Sequence, residues 1–391
     1  MAEQVLNTSR SSSPRIALAA GEASGDFLGQ LLLNAAQQEW PDLHSYGIGG
    51  SKMAATGFDA WWPYEDLAVF GYVDALRNYR RIMGLRKSFA NKLLQAEHRP
   101  DLFIGIDAPD FNLGLEAQLK AQGIKTAHFV SPSIWAWRPE RIEKIRAAAD
   151  HVLCLFPFEP AIYAKAGIPA TFVGHPFAAH IPMQPDRAAA RAALGLPQDA
   201  PIVALLPGSR KSEILHLASD FFAAATLMRQ AQAGLRFVCP CVPAQIPLVT
   251  DIAARAGLGD ALSLIEGHSH EALAACDTAI VASGTATLEA ALFKRPHIIA
   301  YRMNWLNWQL IRRKRLQPWV GLPNILCQDF VVPELLQDAL TPPALADAAL
   351  AQLQSPREQA RIAERFTALH HSLLQPSTKC IQGVLQQLLT A

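Results

Sequence analysis

The feature that most constrains the fold of this chain is a repeated unit of an apolar run, a glycine-containing turn and a helical pattern. One unit begins with the run Ile202–Leu206, turns at Pro207-Gly208-Ser209-Arg210, and continues into a helical pattern from Ile214. Similar units begin at residues 15–20, 102–106 and 278–282, and Gly47-Ile48-Gly49-Gly50 predicts a further glycine turn after a short strand. Continuous apolar strands that alternate with helices are typical of parallel sheets covered on both faces. The sequence therefore predicts an α/β fold.

Length and composition fit two Rossmann-like domains. The chain has 391 residues, of which 50% are hydrophobic and 18% charged, enough for two ordinary cores. Residues 1–14 are polar and are predicted to form a flexible tail. A Pro- and Ala-rich stretch follows Gly174-His175, so we predict domains at 15–175 and 176–391, facing each other across a cleft. The C-terminal helices are expected either to cross back or to exchange with a second subunit, which leaves a homodimer open.

Charge and cysteine usage exclude several classes of protein. The net charge of +1 argues against a nucleic-acid-binding protein that relies on overall electrostatics. The six cysteines form no C-x-x-C pair and no disulfide framework, which indicates a reducing compartment. No apolar run approaches the roughly 20 residues that span a bilayer, and the polar N-terminus lacks the apolar segment of a signal peptide. The sequence predicts a cytoplasmic protein.

The turn at 207–210 has the residues of an anion site. Gly208 allows the backbone to approach a ligand, Ser209 is a helix-capping residue, and the helix that follows attracts anions at its N-terminus. Arg210 adds a planar, permanently charged guanidinium that suits phosphate. An ordinary strand-to-helix turn with a surface arginine has the same residues, so this turn alone leaves both interpretations open. A Walker A loop is excluded because G-x-x-x-x-G-K-[ST] is absent.

Other candidate ligand-binding residues also follow the apolar runs. In the first domain they are Glu22, Ser24, Gly25, Asp107, Asp110 and Asn112. In the second domain they are Ser283, Thr285, Ala286, Thr287 and Glu289. Ligands of open parallel sheets bind outside the carboxyl ends of the strands, so we expect carboxylates in one half of the cleft and phosphate-binding turns in the other. Helix capping is the alternative role for the Ser, Thr and Asp residues of these turns.

Two segments combine apolar or aromatic residues with clustered cations. Residues 67–87 have a helical apolar stripe among five basic residues, and Trp305 and Trp308 precede the cationic run 312–315. This pattern is typical of helices that lie at a membrane surface. The alternative for 67–87 is a core-facing helix with a solvated basic side. The residues predicted to face the membrane are Val69, Phe70, Val73, Leu76, Trp305 and Trp308.

Seven motifs occur in one order along the chain. They are Gly21-Glu22-Ala23-Ser24-Gly25-Asp26, Gly105-Ile106-Asp107-Ala108-Pro109-Asp110-Phe111-Asn112, Ser131-Pro132-Ser133-Ile134-Trp135-Ala136-Trp137, Gly174-His175-Pro176, Leu206-Pro207-Gly208-Ser209-Arg210, Ser283-Gly284-Thr285-Ala286-Thr287-Leu288-Glu289 and Leu322-Pro323-Asn324. Together, from about residue 15 to 389, they resemble the lipid-A-disaccharide synthases. The resemblance implies a GT-B glycosyltransferase that joins UDP-2,3-diacylglucosamine to 2,3-diacylglucosamine 1-phosphate (lipid X) through a β-1,6 link. It also implies peripheral association with the cytoplasmic face of the inner membrane.

Within that resemblance, an inverting transfer requires a base for the acceptor 6-hydroxyl and stabilisation of the charge that develops on UDP. We assign the base to Asp107, with Asp110, Glu22 and His175 as alternatives. We assign the diphosphate to Gly208, Ser209, Arg210 and the neighbouring turn 283–287. The remaining donor contacts are assigned to Glu289 at the ribose, Glu266 and Gly267 at uracil, and Asn324 and Gln328. No metal-ligand cluster accompanies these residues in the sequence, so we predict no obligatory metal and no cofactor.

Three other functions remain as alternatives. Another GT-B enzyme acting on a UDP-sugar, such as a polyprenyl-carrier transferase or a sugar 2-epimerase, would differ in not requiring acyl chains. A nicotinamide-dependent oxidoreductase lacks support because no G-x-G-x-x-G follows any strand. A membrane adaptor would explain the basic-aromatic segments but gives no reason for Asp107 and Gly208-Ser209-Arg210 to follow buried strands.

Overall fold

The computed structural model describes residues 13–67, 72–136, 138–304, 308–309 and 316–390, and for 72–79 the backbone alone. The chain divides into two compact units. The first unit contains residues 1–175 and 375–391, and the second contains 176–374. The sequence assigned 375–391 to the second domain and allowed for a crossing; in the structure this segment packs with the first unit of the same chain.

Each unit is built on a sheet of short strands. Within the described residues, the strands of the first unit are β1 (Arg15–Ala20), β2 (His44–Gly49), β3 (Asp59–Pro63), β4 (Leu102–Ile106), β5 (Lys125–Phe129), β6 (His151–Cys154) and β7 (Ala170–Phe172). Those of the second unit are β8 (Ile202–Leu206), β9 (Arg236–Cys241), β10 (Leu262–Glu266), β11 (Thr278–Ala282), β12 (His297–Tyr301) and β13 (Glu334–Leu336).

Helices connect these strands. In the first unit they are α1 (Ala23–Glu39), α2 (Ser51–Ala54), α3 (Tyr72–Leu93), α4 (Pro109–Lys120), α5 (Arg141–Ala148), α6 (Glu159–Lys165) and the last helix, α16 (Ser377–Thr390). In the second unit they are α7 (Pro176–His180), α8 (Arg187–Ala193), α9 (Lys211–Ala231), α10 (Ile246–Ala256), α11 (Ser269–Ala275), α12 (Thr285–Leu292), α13 (Leu322–Cys327), α14 (Pro342–Leu353) and α15 (Pro356–Leu373). Short 3₁₀ helices lie at Tyr64–Asp66, Ala96–His98, Pro243–Gln245, Gly259–Ala261 and Gln337–Ala339. None of the described helices is both long and apolar enough to span a bilayer.

The strand order of each sheet locates its ligand-binding edge. The described strands pair in parallel, in the orders β3-β2-β1-β4-β5-β6-β7 and β10-β9-β8-β11-β12-β13. The order reverses between β1 and β4 in the first sheet and between β8 and β11 in the second. Ligands of open α/β sheets bind outside the carboxyl ends of the strands at such a switch point. The predicted α/β class, with two Rossmann-like domains, is confirmed.

Burial on both faces explains why the central strands are continuous apolar runs. All five residues of β4 are buried. Ile104 packs in a cluster with Leu32 of α1 and Leu385 of α16, whereas Phe103 packs with Phe89 of α3 and Leu115 of α4. Because successive side chains of a strand point to opposite faces, helices on both sides of the sheet require an uninterrupted apolar strand. The last helix therefore completes the core of the first unit.

The structure corrects one predicted turn, adds two strands that the sequence did not predict and sets the bounds of one predicted helix. The turn predicted at 47–50 is largely strand, because β2 extends to Gly49. Gly47 has a φ of +139°, and a Cβ there would collide with the carbonyl of Leu18 on β1, so the glycine serves close strand approach. The edge strands β3 and β13 were missed because neither contains a buried residue. The helix predicted within 67–87 lies at Tyr72–Leu93.

Candidate functional site

Two turns of the first unit meet at its switch point. Gly21 follows β1 and Asp107 follows β4, and a Cβ added at Gly21 would lie 2.5 Å from the Cβ of Ala108. Asp107 and Ala108 both have positive φ, +51° and +43°, so the chain bends sharply before α4 begins at Pro109. The amide of Asp107 donates to the carbonyl of Phe129 on β5 at 2.8 Å. The backbone of Asp107 is thereby held at the end of its strand, beside the turn that carries Glu22.

The electrostatics of Asp107 suit a base. Burial raises the pKa of its carboxyl above the ordinary value, and the Glu22 carboxylate raises it further. His128 on β5 and the amide of Ala108 act in the opposite direction. A carboxylate with a raised pKa binds a proton more strongly and is therefore a better base. The side chain of Asp107 is partly exposed, so a substrate hydroxyl can reach it.

The alternative bases have environments that suit them less. Asp110 is exposed and its carboxylate pairs with Arg141 at 2.7 Å. Glu22 is exposed and accepts a hydrogen bond from the Ser24 hydroxyl at 2.7 Å. His175 is buried, and desolvation lowers its pKa to about 4. The structure therefore favours Asp107 among the residues considered.

Two predicted ligand-binding residues of the first unit have internal roles. Asn112 is fully buried on α4, and its amide nitrogen donates to the carbonyls of Ala19, Ile106 and Asp107. Gly25 is buried within α1, where an added Cβ would lie 3.4 Å from that of Ala20. The buried side chain of Asn112 is not available to a ligand in this structure and instead joins the ends of β1 and β4.

The turn of the second unit at 207–210 already binds a carboxylate. Glu213 accepts hydrogen bonds from the amides of Ser209 and Arg210, each at 3.1 Å, and lies 3.5 Å from the Arg210 guanidinium. The prediction that Ser209 caps the helix was wrong, since Arg210 is the N-cap residue of α9 and Glu213 supplies the carboxylate. Gly208 has a φ of +117°, and a Cβ there would lie 2.6 Å from Glu213. The Glu213 carboxylate therefore occupies the backbone amides at which the sequence predicted a diphosphate.

In the second turn, after β11, fewer backbone amides are hydrogen-bonded to other described parts of the protein than in the 207–210 turn. Gly284 precedes α12 and has no side chain to cap it, while the first helical residue, Thr285, is exposed. Thr287 is buried and its hydroxyl donates to the Gly284 carbonyl at 2.7 Å, and the Ser283 amide donates to Ala300. The backbone around Thr285 and Ala286 is therefore the part of this turn that can face a ligand. The two turns that were predicted to bind phosphate follow the strands that flank the switch point, β8 and β11.

Glu289 has a partner that the sequence did not suggest. Its carboxylate lies 2.9 Å from Nε2 of His270, and this hydrogen bond raises the pKa of the histidine. Glu289 is one turn into α12, on the side of the helix that His270 of α11 approaches. A hydrogen-bonding carboxylate of fixed orientation is suited to a pair of sugar hydroxyls.

The remaining donor-side predictions have different outcomes. Glu266 and Gly267 lie at the end of β10, where Glu266 is exposed and the Gly267 amide donates to Cys241. Gln328 follows α13 and is exposed. Asn324 is fully buried, and its side chain exchanges hydrogen bonds with both backbone groups of Val332 and donates to Glu334. Asn324 therefore holds the segment before β13 and is not accessible to a ligand in this structure.

Replacing Asn324 by Ala is expected to lower the free energy of unfolding by about 1–3 kcal/mol, because the amide and carbonyl of Val332 would lose their buried partner. Chemical denaturation of the purified protein measures this change. Gln328→Ala, on the exposed residue four positions later, is the matched control and should leave stability close to that of the natural protein. An Asn324→Ala variant as stable as this control would contradict the structural role.

Sequence reasoning missed Tyr301 and Glu213. Burial and Glu213 raise the pKa of the Tyr301 phenol, while Arg210 lowers it, so Tyr301 lies within electrostatic reach of the 207–210 turn. Tyr301 could have been identified from the sequence as a polar phenol at the end of the apolar run that forms β12. For Glu213 the signal was its position three residues after the N-cap, which is the spacing of a capping box.

Much of the predicted membrane surface lies outside the described residues. Val69, Phe70 and Trp305 are among the undescribed positions, and for Val73 and Leu76 only the backbone of α3 is described. Trp308 is half-buried. Further along α3, Ile82 and Leu85 pack against the core while Arg80, Arg81 and Lys87 are exposed. The membrane-facing role of this surface stays a prediction.

Comparison with known proteins adds the family. A family model described as "Lipid-A-disaccharide synthetase" matches residues 16–385. A lipid-A-disaccharide synthase of Albidiferax ferrireducens is 57% identical over 380 residues, covering 96% of this chain and 97% of its own length. Another, from Aromatoleum aromaticum, is 53% identical over 363 residues, covering 92% of each chain.

Solved structures share the fold at low sequence identity. A UDP-GlcNAc 2-epimerase from Neisseria meningitidis, bound to UDP-GlcNAc, has a TM-score of 0.64 and 10% identity, covering 96% of this chain and all of its own (100%). The calicheamicin glycosyltransferase CalG4 has a TM-score of 0.60 and 13% identity, covering 96% of this chain and 98% of its own. At such identities the likeness shows the GT-B-type fold alone.

Proposed function

This chain belongs to the lipid-A-disaccharide synthase family, and from that membership we propose which of its residues carry out the reaction. The enzyme is a glycosyltransferase of lipid A biosynthesis. It joins UDP-2,3-diacylglucosamine to 2,3-diacylglucosamine 1-phosphate, forms the β-1,6-linked disaccharide 1-phosphate and releases UDP. The residue roles below are our proposal.

The first unit supplies the base. The acceptor 6-oxygen forms a bond to the anomeric carbon of the donor while the bond from that carbon to the UDP oxygen breaks. The proton of the 6-hydroxyl passes to the carboxylate of Asp107, and the electron pair of the broken bond leaves with UDP. Because UDP departs as a stable anion, it requires no proton, so one carboxylate suffices where a glycosidase uses two.

The second unit binds the donor. The diphosphate is proposed to contact the guanidinium of Arg210 and the backbone of the 208–210 and 284–286 turns, where helix N-termini favour negative charge. Glu289, held by His270, accepts hydrogen bonds from the ribose, and the end of β10 at Glu266 and Gly267 lies along the uracil. Arg210 stabilises the charge that grows on the leaving group.

The observation that carries this proposal is the position of Asp107 together with the raised pKa of its carboxyl. Asp107 lies at the switch point of the first sheet with a raised pKa, whereas the alternative carboxylates are exposed and the alternative histidine is buried. Mass spectrometry of products tests the overall reaction. We expect UDP-diacylglucosamine and the diacylated monosaccharide 1-phosphate to yield the disaccharide 1-phosphate, whereas deacylated donor should give little product.

A chelator tests the predicted independence from metal in the same assay. Among the described residues, no group of three or more His, Cys, Asp and Glu side chains is placed to hold a metal ion. Arg210 and the helix N-termini supply positive charge for the diphosphate instead. We expect the yield of disaccharide to be unchanged by chelator, and loss of product that added Mg²⁺ restores would contradict this prediction.

We further propose that the protein associates peripherally with the cytoplasmic face of the inner membrane. Both substrates carry acyl chains that partition into the bilayer. The apolar residues of 69–76 and Trp305 and Trp308, next to clustered Arg and Lys, suit a surface of anionic lipid headgroups.

Replacing Val69, Phe70, Val73 and Leu76 together by serine is expected to lower cosedimentation with anionic vesicles severalfold, because about four apolar side chains no longer enter the bilayer interface. Vesicle sedimentation of the folded variant measures the loss. The matched control changes the exposed apolar residues Leu227, Val242, Phe330 and Leu374 to serine and should sediment like the natural protein. Unfolding or aggregation of the first variant would show that those residues form core and would contradict the proposal.

A further inference from the structure

A pair of ionisable side chains is buried behind Asp107. Glu116 on α4 and His128 on β5 have no exposed side-chain surface, and Nδ1 of His128 lies 2.6 Å from a carboxylate oxygen of Glu116. Neither residue belongs to the site predicted from the sequence. Burying two ionisable groups is costly, and well-packed apolar side chains in their place are often as stabilising or more so. Stability alone is therefore a weak reason for this pair.

The backbone makes room for the pair. Gly105 on β4 is the register partner of His128, and a Cβ at Gly105 would collide with the Glu116 carboxylate. Two residues after this glycine the chain reaches Asp107. The space left by Gly105 thus admits the Glu116 carboxylate between the strand that ends at Asp107 and the helix that follows it.

A second connection runs through Asn112. Asn112 and Glu116 are four residues apart on α4 and lie on the same buried face. The amide nitrogen of Asn112 donates to the carbonyl of Asp107 at 2.8 Å, so the helix that carries Glu116 also fixes the backbone of Asp107. One oxygen each of Asn112 and Glu116, and Nε2 of His128, find no hydrogen-bond partner among the residues that the structure describes. Unpaired buried polar atoms are costly, and here they cluster at one place behind the carboxylate.

The charges of the network act on one another. Burial lowers the pKa of His128, but Glu116 and Asp107 together outweigh it, so the pKa of His128 lies above its ordinary value. Burial raises the pKa of Glu116, against the effect of His128 and of Lys120 at the end of α4. His128 lowers the pKa of Asp107, in opposition to burial and to Glu22. A protonated His128 would therefore favour the ionised, base-competent form of Asp107.

We propose that Glu116 and His128 act together as a positioning pair that keeps the carboxylate of Asp107 ionised and fixed at the end of β4. The inference rests on the proposed role of Asp107 as the base. His128 supplies positive charge behind the carboxylate, Glu116 keeps that charge on His128, and Gly105 admits both. Neither residue touches the substrates in this account.

The pH dependence of turnover tests the pair. Losing the charge of His128, in Glu116→Gln or His128→Gln, should raise the pKa of Asp107. The acid limb of the kcat profile should then move to higher pH by about one unit. The double variant Glu116→Gln/His128→Gln should show the same shift as each single variant, because removing either partner already abolishes the charge. His151→Gln is the matched control, since it removes a buried histidine of the adjacent strand that bonds Thr171; it should leave the acid limb in place.

The outcomes separate this inference from the proposed function. If Asp107→Asn is inactive but the pair variants lose only stability and keep the acid limb, the pair is structural and the inference is overturned. If Asp107→Asn is active, the proposed base itself is wrong. The double variant retains a hydrogen bond without a buried charge, so it is the one to measure if a single variant does not fold. Should all three fail to fold, nitrogen NMR of the natural protein decides: we expect a buried, doubly protonated imidazole at pH 7, and its absence overturns the inference.

Discussion

Asp107→Asn is expected to lower turnover at least about a hundredfold, which corresponds to about 2.7 kcal/mol of transition-state stabilisation. An amide of the same shape occupies the same place but cannot accept the proton of the 6-hydroxyl. Because the backbone of Asp107 is held by Phe129 and Asn112, the variant should keep the fold. Steady-state kinetics at saturating substrates measure the loss, with circular dichroism as the check on folding.

Asp101→Asn is the matched control for this experiment. Asp101 precedes β4 at its other end, where its carboxylate accepts a hydrogen bond from the amide of Arg15 at 2.8 Å. Its replacement should leave turnover close to that of the natural protein. Near-normal turnover of folded Asp107→Asn would move the base elsewhere, and a loss on Asp110→Asn instead would identify Asp110.

Arg210→Ala is expected to weaken UDP binding about tenfold to a hundredfold, because a charge-assisted hydrogen bond contributes about 1.5–3 kcal/mol. Turnover should fall as well, since the guanidinium faces charge that grows on the leaving group. Calorimetric titration with UDP measures the affinity, and the disaccharide assay measures the rate. The competing carboxylate of Glu213 stays in place, so the loss reports the guanidinium.

The matched control for Arg210 lies in the same sheet but at the amino end of a strand, whereas Arg210 follows the carboxyl end of β8. Arg236 begins β9, is exposed, and donates to the carbonyl of Asp260 at 3.3 Å. Arg236→Ala removes the same charge without approaching the 207–210 turn, so UDP affinity should be unchanged. Equal UDP affinity in the two variants would remove Arg210 from the donor site.

The parts of this fold that the sequence predicted are those with continuous burial. The bounds predicted for β1, β4, β8 and β11 agree with the structure, since strands covered on both faces have no polar interruption. Edge strands β3 and β13 lack that signal. Gly47 led to the wrong prediction of a turn at 47–50. A glycine within a strand can permit close approach of the neighbouring strand, and the sequence alone does not distinguish it from a glycine in a turn.

The sequence could predict those residues of the candidate site that follow a buried strand. Asp107 and Arg210 both do so, whereas the strand order that places them at the two switch points comes from the structure. The partners of polar residues could not be read from the sequence, because they depend on which helix faces which strand. Asn112 and Asn324 carry the residue type of a ligand-binding side chain, yet their amides are used inside the protein. Glu116 and His128 are twelve residues apart and meet only because α4 packs on β5.

A crystal structure with UDP bound is the most direct test of where the second unit holds the nucleotide. We expect the diphosphate at the guanidinium of Arg210 and the amides of the 208–210 turn, with the Glu213 carboxylate displaced from those amides and the ribose at Glu289. UDP bound away from Arg210, with Glu213 still hydrogen-bonded to Ser209 and Arg210, would contradict it.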